Sequence, residues 1–330
     1  MKNDKYKIIK TYLDEYPNVK KRTLSRIIYK DFPLLWSNEE SIRKSILYLT
    51  GSSGKNKLQI LNTDKYLTPE KIIKKYNLPE SIEQPYEAYK IIGNKVLIFS
   101  DTHIPFHSIT AIEAMFDFTV NKNITTIILN GDITDCYDLS KFDKEPNKEK
   151  ANEEREKSIQ FLMELKKVYP NAKIYYKFGN HEKRFLSLLK TKAVELFDFP
   201  EIRWDVLLKL SQMDIYYIPE ENYIDLNSDI FIIHGHEYRN GITSPASPAR
   251  TFFLRTNAIT LGGHYHQVTD YSKPQINGEL IASWSIGCLC DLHPQWMPLN
   301  SWGHGFAIYT KDDEKFWHVQ NKRIIKGHVV

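Results

Sequence analysis

Five short runs of apolar and β-forming residues in this sequence each end abruptly in aspartate, asparagine or histidine. The first, residues 95–99, leads through Ser100 into Asp101-Thr102-His103. The other four are 126–129 before Asn130-Gly131-Asp132, 173–178 before Gly179-Asn180-His181-Glu182, 229–233 before His234-Gly235-His236, and 258–261 before Gly262-Gly263-His264-Tyr265-His266. Such runs are typical of buried strands in an α/β sheet, and the loops that follow them hold the ligands of open α/β proteins. The pattern therefore predicts an α/β protein in which five strands deliver metal-binding side chains to the same edge.

Length and composition limit the class of protein. A chain of 330 residues allows one large domain or two unequal ones. With 42% hydrophobic and 26% charged residues, the composition is that of an ordinary soluble globular protein. Three cysteines are too few for a disulfide framework or a cysteine-based zinc site, which favours a reducing compartment. No apolar stretch approaches the roughly 20 residues of a membrane span, so we expect a cytoplasmic protein without membrane contact.

The basic charge is concentrated in the N-terminal segment. Residues 1–60 carry 13 Lys and Arg against 6 Asp and Glu, a net charge of +7, whereas the rest of the chain has a net charge of −3. Apolar spacing predicts three helices, over 3–16, 21–29 and 37–49. The third follows a capping box at Ser37 and precedes a basic loop, 52–57. This pattern is typical of a helix-turn-helix-like domain that binds nucleic acid through Arg43, Lys44 and the loop. The alternative is a helical docking domain whose lysines are merely solvated.

The remaining chain is predicted to consist of a connector and a catalytic body. Residues 61–92 contain three prolines and are interpreted as the connector, so we expect domains at 1–60 and 93–330. The pattern of charged and apolar residues over 147–169 predicts a long amphipathic helix that connects two parallel strands. Residues 183–213 are expected to form part of a cap over the site. After residue 270, short runs between glycine turns predict a closing antiparallel sheet.

The ordered set of motifs, D-x-H, G-D-x-x-D, G-N-H-E, H and G-H-x-H, resembles the calcineurin-like metallophosphoesterase family over roughly residues 93–310. The resemblance implies an α/β sandwich of two mixed β-sheets flanked by helices. In this chain the small all-α helix-turn-helix-like domain would precede that sandwich, and nothing in that domain contributes to the resemblance.

The candidate ligands are aspartates, histidines and one asparagine, and the set contains no thiolate. This mixed N/O set suits Mn²⁺, Fe, Ni or Zn²⁺ better than Ca²⁺ or Mg²⁺, and it is too large for one ion. The resemblance implies two divalent ions, with Mn²⁺ expected and Fe, Ni or Zn as alternatives. It assigns one metal to Asp101, His103 and His266, the other to Asn180, His234 and His264, and a bridging position to Asp132. A water between the metals would attack phosphorus in line with the departing oxygen.

Two residues are predicted to act in catalysis. By resemblance, His181 supplies the acid that protonates the leaving oxygen, and Asp135 orients it through a carboxylate–imidazole hydrogen bond. A packing histidine is the alternative for His181, and an N-cap of the following helix is the alternative for Asp135.

Four further residues are candidates for substrate binding. Arg250 and Arg255 lie between the fourth and fifth motifs, and a guanidinium matches phosphate oxygens well; a surface ion pair is the alternative. His236 follows His234 at a spacing that would place both side chains on one side of a strand. His107 follows the first motif closely enough to line a pocket.

The residues after the second motif bear on the substrate. Protein serine/threonine phosphatases of this superfamily continue G-D-x-x-D with Arg-Gly, whereas this chain has Cys136-Tyr137-Asp138. The segment looks more like phosphoesterases of bacteria and their phages. We therefore predict a two-metal phosphodiesterase or nuclease in a bacterial or phage-infected cytoplasm, with nucleic acid as partner and the oligomeric state left open. The alternatives are a phosphomonoesterase acting on a small metabolite or phosphoprotein, and a DNA-binding regulator with a vestigial catalytic body.

Overall fold

The chain divides into two compact units, Met1–Gln84 and Pro85–Val330. The computed structural model describes residues 2–17, 19–50, 79, 81–82, 86–141, 150–219, 222–238, 246–314 and 316–330. The predicted basic loop 52–57 and most of the predicted connector lie outside these residues. Within the described parts of the chain, no helix has the length and apolar character needed to cross a membrane.

The N-terminal unit contains the three predicted helices, which are α1 (Lys2–Glu15), α2 (Lys21–Asp31) and α3 (Glu39–Leu49). Each helix places isoleucine or leucine at helical spacing toward a small common core, which includes Ile9, Ile28 and Ile46. The N-cap of α3 is Asn38, whose side chain accepts a hydrogen bond from Ser41 N at 2.9 Å. The predicted capping box at Ser37 was therefore one residue out of register.

Among its described residues, the second unit contains two β-sheets and five further α-helices. Its strands are β1 (Tyr89–Ile91), β2 (Lys95–Phe99), β3 (Thr126–Asn130), β4 (Lys173–Lys177), β5 (Ile215–Ile218), β6 (Ile224–Leu226), β7 (Ile230–Ile233), β8 (Thr260–Gly262), β9 (Thr269–Pro274), β10 (Leu280–Ser285), β11 (His304–Lys311), β12 (Trp317–Ile325) and β13 (His328–Val329). Its helices are α4 (Ile109–Thr119), α5 (Ala151–Val168), α6 (Lys183–Lys192), α7 (Trp204–Leu207) and α8 (Pro248–Thr256).

Both sheets are mixed, as the family resemblance implies. One has seven strands in the order β13-β12-β11-β2-β3-β4-β5, and the other has six in the order β1-β6-β7-β8-β10-β9. Strands β2 to β5 run parallel, and α5 makes the predicted crossover between β3 and β4. The predicted closing strands are β10, β11 and β12, but they do not form one sheet. β10 lies in the six-stranded sheet, between β8 and β9, whereas β11 of the seven-stranded sheet pairs antiparallel with both β2 and β12.

Alternation along the strands creates two cores. On β2, Val96 and Ile98 point between the sheets, where they join a buried cluster with Ile232 and Leu261 of the second sheet. Leu97 and Phe99 point the other way, into a cluster with side chains of α4 and α5. The first sheet is therefore buried on both faces, which explains why its central strands are almost continuously apolar.

Two sequence predictions need correction. The five motif-bearing strands do not share one sheet edge, because β2, β3 and β4 belong to the seven-stranded sheet while β7 and β8 belong to the six-stranded one. Their carboxyl ends meet because the two sheets face each other. The catalytic body also begins before residue 93, since Tyr89–Ile91 already pairs in parallel with β6.

Candidate metal centre

The predicted metal ligands gather where β2, β3, β4, β7 and β8 end. Five of them have left-handed backbone, with positive φ: Asp101 (55°), His103 (48°), Asp132 (53°), His264 (70°) and His266 (57°). This conformation is uncommon outside glycine and, for bulkier side chains, marks strain. The turns that bring these side chains together are therefore unfavourable locally and are maintained by the surrounding structure.

Asp101, His103 and His266 form one tight group. Asp101 Oδ1 lies 3.2 Å from His266 Nε2 and 3.8 Å from His103 Nε2, and the two Nε2 atoms are 3.2 Å apart. The other carboxylate oxygen, Oδ2, accepts hydrogen bonds from Ser100 Oγ and from His264 N at 2.9 Å. Asp101 is therefore fixed by one oxygen and presents the second to the group.

Asp132 and His234 form the centre of a second group. Asp132 Oδ2 lies 3.3 Å from His234 Nε2 and 3.9 Å from His103 Nε2. His264 joins them, with its ring centroid 5.3 Å from that of His234. The Asn180 Oδ1 atom is buried and has no hydrogen-bond partner among the described residues.

The donor set fits divalent cations. Three combinations of side chains could each converge on one ion: Asp132 with His234 and His264, Asp132 with His103 and His181, and His103 with His266 and Cys290. Two buried acceptors, Asp101 Oδ1 and His234 Nε2, lack hydrogen-bond partners within the described parts of the chain. A buried acceptor left without a partner is costly, and a bound cation would satisfy both atoms.

Hydrogen bonds set the histidine tautomers for this purpose. His234 Nδ1 donates to Asn130 O at 2.7 Å, and His103 Nδ1 donates to Asp135 Oδ1 at 2.7 Å. In the neutral form of each ring, the Nε2 lone pair therefore faces the cluster. A second partner on the remote nitrogen is the usual way in which proteins orient a metal-binding histidine.

The pKa values within the cluster reflect opposite charges in contact. Burial would raise the pKa of Asp101, but His266 and His234 hold it well below its ordinary value. Burial would lower the pKa of His234, yet Asp132 and Asp101 raise it to about 9, so a metal ion that binds at Nε2 must displace a proton there. Burial and the neighbouring His234 lower the pKa of His264 to about 4, so that imidazole is neutral at pH 7 and keeps a free lone pair.

Cys290 lies beside this cluster, which its sequence context did not indicate. Its Sγ atom is 3.9 Å from His266 Nδ1. A hydrogen bond with Cys288, reinforced by burial, raises the pKa of the Cys290 thiol well above its ordinary value. The thiolate is the form that binds metals, so the combination of His103, His266 and Cys290 requires the loss of this proton.

His181 and Asp135 lie together next to the cluster. His181 Nδ1 donates to Asp135 O at 2.8 Å, and its Nε2 lies 3.8 Å from Asp132 Oδ2. The Asp135 carboxylate is 3.1 Å from His181 but makes its shorter contact, 2.7 Å, with His103. Asp135 thus contacts both a predicted catalytic residue and a predicted ligand.

Arg184, on α6 within the predicted cap segment, completes the surroundings of His181. Its Nη2 donates to His181 Nε2 at 3.0 Å and its Nη1 donates to Asp135 O at 3.0 Å. Since a guanidinium can only donate, His181 carries its proton on Nδ1 in this arrangement.

Glu182 is a structural residue of the site whose role was not predicted. Its fully buried carboxylate accepts hydrogen bonds from four backbone N–H groups and a phenol, at 2.7–3.1 Å: those of Asp132, Ile133, Thr134 and Gly179, and the hydroxyl of Tyr176. It thereby ties the loop after β3 to the loop after β4. A Cβ atom added at Gly179 would collide with Asp132, so this close approach requires glycine.

Lys177 and Glu237 form a second support that was not predicted. Lys177 Nζ is fully buried and lies 2.8 Å from Glu237 Oε1. Glu237 also accepts hydrogen bonds from the backbone N–H groups of His234 (2.9 Å) and Gly235 (2.6 Å). The pair joins β4 of one sheet to the loop after β7 of the other.

The predicted substrate-binding residues are dispersed. His236 lies beside the cluster, with its ring centroid 5.3 Å from that of His234, and burial with that neighbour lowers its pKa to about 3. Arg250 and Arg255 are on α8, where Arg255 lies over the ring of Tyr238 at 5.7 Å. His107 bridges to the backbone of Cys290. Substrate binding by all four stays a prediction.

The fold and the site define a class: a two-sheet α/β protein whose strand ends gather an Asp, His and Asn cluster suited to divalent metals. The family model for calcineurin-like phosphoesterase matches residues 94–312, and the chain belongs to this family. Membership implies metal-dependent hydrolysis of phosphoesters.

Similar proteins occur in phages. The Gene 54 protein of Mycobacterium phage L5 is 23% identical over 239 residues, which are 68% of this chain and 91% of that protein. The Gene 54 protein of Mycobacterium phage D29 is 24% identical over 237 residues, which are 67% and 90%. Among solved structures, Vps29 of Entamoeba histolytica complexed with zinc aligns at a TM-score of 0.38 and 12% identity, covering 72% of this chain and 96% of its own.

Proposed function

We propose that this protein is a binuclear metal-dependent phosphodiesterase that acts on nucleic acid or nucleotides. The observation that carries the proposal is the position of Asp132, which belongs to two of the ligand combinations and contacts histidines of both groups. A carboxylate shared in this way suits a bridge between two ions. Two divalent ions bound there would polarise the phosphoryl oxygens and lower the pKa of a water.

The surrounding residues would orient and protonate the substrate. Asp135 and the Asn130 carbonyl hold His103 and His234 in ligand tautomers. The guanidinium of Arg184 is close enough to the cluster to turn from His181 to a phosphate oxygen, a good partner for its fork of donors. His181 Nε2, released by that movement, would take up a proton from solvent and pass it to the leaving oxygen.

Preference for nucleic acid rests on the basic N-terminal unit. On α2, Arg22, Arg26 and Lys30 are exposed, and Asp31 is the only acidic residue of that helix. Arg26 is paired with Glu39 at 3.4 Å, and Arg43 on α3 is paired with Glu40, so part of the positive charge is neutralised. The remaining lysines and arginines would contact the phosphate backbone of a nucleic acid rather than read its base sequence.

The test measures metal content and substrate preference together. Protein loaded with Mn²⁺ should hold two ions per chain, hydrolyse bis-p-nitrophenyl phosphate faster than p-nitrophenyl phosphate, and cleave DNA. Asp132→Asn should abolish hydrolysis, whereas Asp117→Asn, a change at an exposed residue of α4, should leave it intact. Less than one ion per chain together with no hydrolysis would indicate a vestigial site, and monoester preference with intact DNA would indicate a phosphatase.

A further inference from the structure

A cavity of about 240 Å³ opens directly beside the candidate metal centre. His103 and His266, both predicted ligands of the first metal, form part of its wall. Four aromatic side chains also line it, Phe106, Tyr137, Trp296 and Trp302, together with Asp135, Cys290, Asp291, Pro294 and Gln295. The cavity therefore joins a phosphate-binding centre to an aromatic surface.

The tryptophans continue from the metal ligands outward. The ring centroid of Trp302 is 4.1 Å from that of His266, and Trp296 follows at 5.5 Å from Trp302. Trp296 is 64% exposed, so it does not serve as a core residue. Phe106 and Tyr137 form a separate edge-to-face pair at 5.8 Å.

The loop that carries both tryptophans is braced in place. Asn300 Nδ2 donates to Leu292 O at 2.7 Å and to Met297 O at 2.8 Å. Asp291 N donates to Phe106 O at 2.8 Å, which ties this loop to the other aromatic pair. The aromatic wall is thus formed before any ligand arrives, and a preformed site loses little entropy on binding.

We propose that this cavity binds the base of a nucleotide whose phosphate lies at the metal centre, with Trp296 as the stacking platform. The inference rests on the proposed function, because it requires a phosphate at that centre. Every nucleobase has a π-face, so stacking on an aromatic side chain tolerates any sequence. Drug-sized ligands occupy pockets of roughly 300–1,000 Å³, so a cavity of this volume suits one base rather than a longer segment.

The test compares binding of a nucleotide with binding of its sugar phosphate to full-length, Mn²⁺-loaded protein. Tryptophan fluorescence titrations should show that dAMP binds about 5- to 150-fold more tightly than 2′-deoxyribose 5-phosphate, as expected for one stacked base. Trp296→Ala should remove most of this difference without changing the affinity for the sugar phosphate. Trp296→Phe should retain it, since a phenyl ring still stacks.

A matched control is Phe316→Ala, because Phe316 is 72% exposed and precedes β12 at the end of β11 remote from His304. It should leave both affinities unchanged. Equal binding of dAMP and the sugar phosphate to the unmodified protein would overturn the inference while leaving the proposed function intact. An equal loss of both ligands in Trp296→Ala would also overturn it. Failure of the sugar phosphate to bind at all would instead count against the proposed function.

Discussion

Replacing Glu182 with glutamine is expected to damage both the stability of the fold and its metal affinity. The carboxylate accepts five hydrogen bonds, three at Oε1 and two at Oε2. Glutamine keeps one acceptor oxygen but places an amide nitrogen at the other position. In the less harmful orientation, that nitrogen faces the N–H groups of Asp132 and Gly179, which are then left without an acceptor.

The size of the loss follows from these contacts. A hydrogen bond to a charged group contributes about 1.5–3 kcal/mol. Two lost bonds therefore lower the free energy of unfolding by about 3–6 kcal/mol. Because Asp132 is one of the residues released, metal affinity should also fall, by about 10- to 100-fold if Glu182 acts like other groups that support a metal ligand.

Urea unfolding followed by circular dichroism would measure the first effect, and calorimetric titration with Mn²⁺ the second. Glu154→Gln is the matched control, because Glu154 is equally buried and accepts a hydrogen bond from Tyr137 N at 3.0 Å. That variant should lose less stability and no metal affinity. If Glu182→Gln retained unmodified metal affinity, or lost less than about 1 kcal/mol, an ordinary value for a point mutation, the reasoning would be refuted.

Four further outcomes are expected. His181→Asn should slow DNA cleavage about 10²- to 10⁴-fold with metal content unchanged, because an alkoxide leaving group needs a proton; equal slowing of a p-nitrophenyl ester would contradict an acid role. Lys177→Met should lower the free energy of unfolding in urea by about 3 kcal/mol, the lower end for a buried pair since the Glu237 side chain is 28% exposed; an unchanged urea midpoint would contradict this. Removal of metal with EDTA should lower the melting temperature, because an ion that binds only the folded state stabilises it, by about 4 kcal/mol at 1,000 times Kd; a constant melting temperature would oppose a metal centre. Deleting residues 1–84 should preserve hydrolysis of a small ester while weakening DNA binding, measured by filter binding at two salt concentrations; loss of ester hydrolysis would show that the units depend on each other.

Local patterns predicted the strands and the family because each motif is contiguous. A buried run followed at once by Asp101 or His234 carries both its secondary structure and its chemistry within about ten residues. The division of these strands between two sheets could not be inferred in the same way. It depends on which strands pair, and pairing is decided by contacts between residues far apart in the chain.

The supporting residues were missed for the same reason. A lysine at the end of a strand, such as Lys177, is expected at the surface, yet this one is fully buried against Glu237, 60 residues later. Glu182 was visible as part of a motif, but its partners are backbone N–H groups that have no sequence signal. Trp296 follows no helical or strand periodicity, so only the structure places it in the wall of the cavity.

The left-handed backbone at five predicted ligands implies a conflict between the stability of the fold and its function. Each such residue costs about 1–2 kcal/mol relative to right-handed geometry, and together they approach the total net stability of a typical domain, about 5–15 kcal/mol. A descendant of this chain released from selection for hydrolysis would become more robust by exchanging these residues for glycine. Glycines at positions such as His264 and His266 would therefore mark lineages that have lost the catalytic activity but have kept the fold.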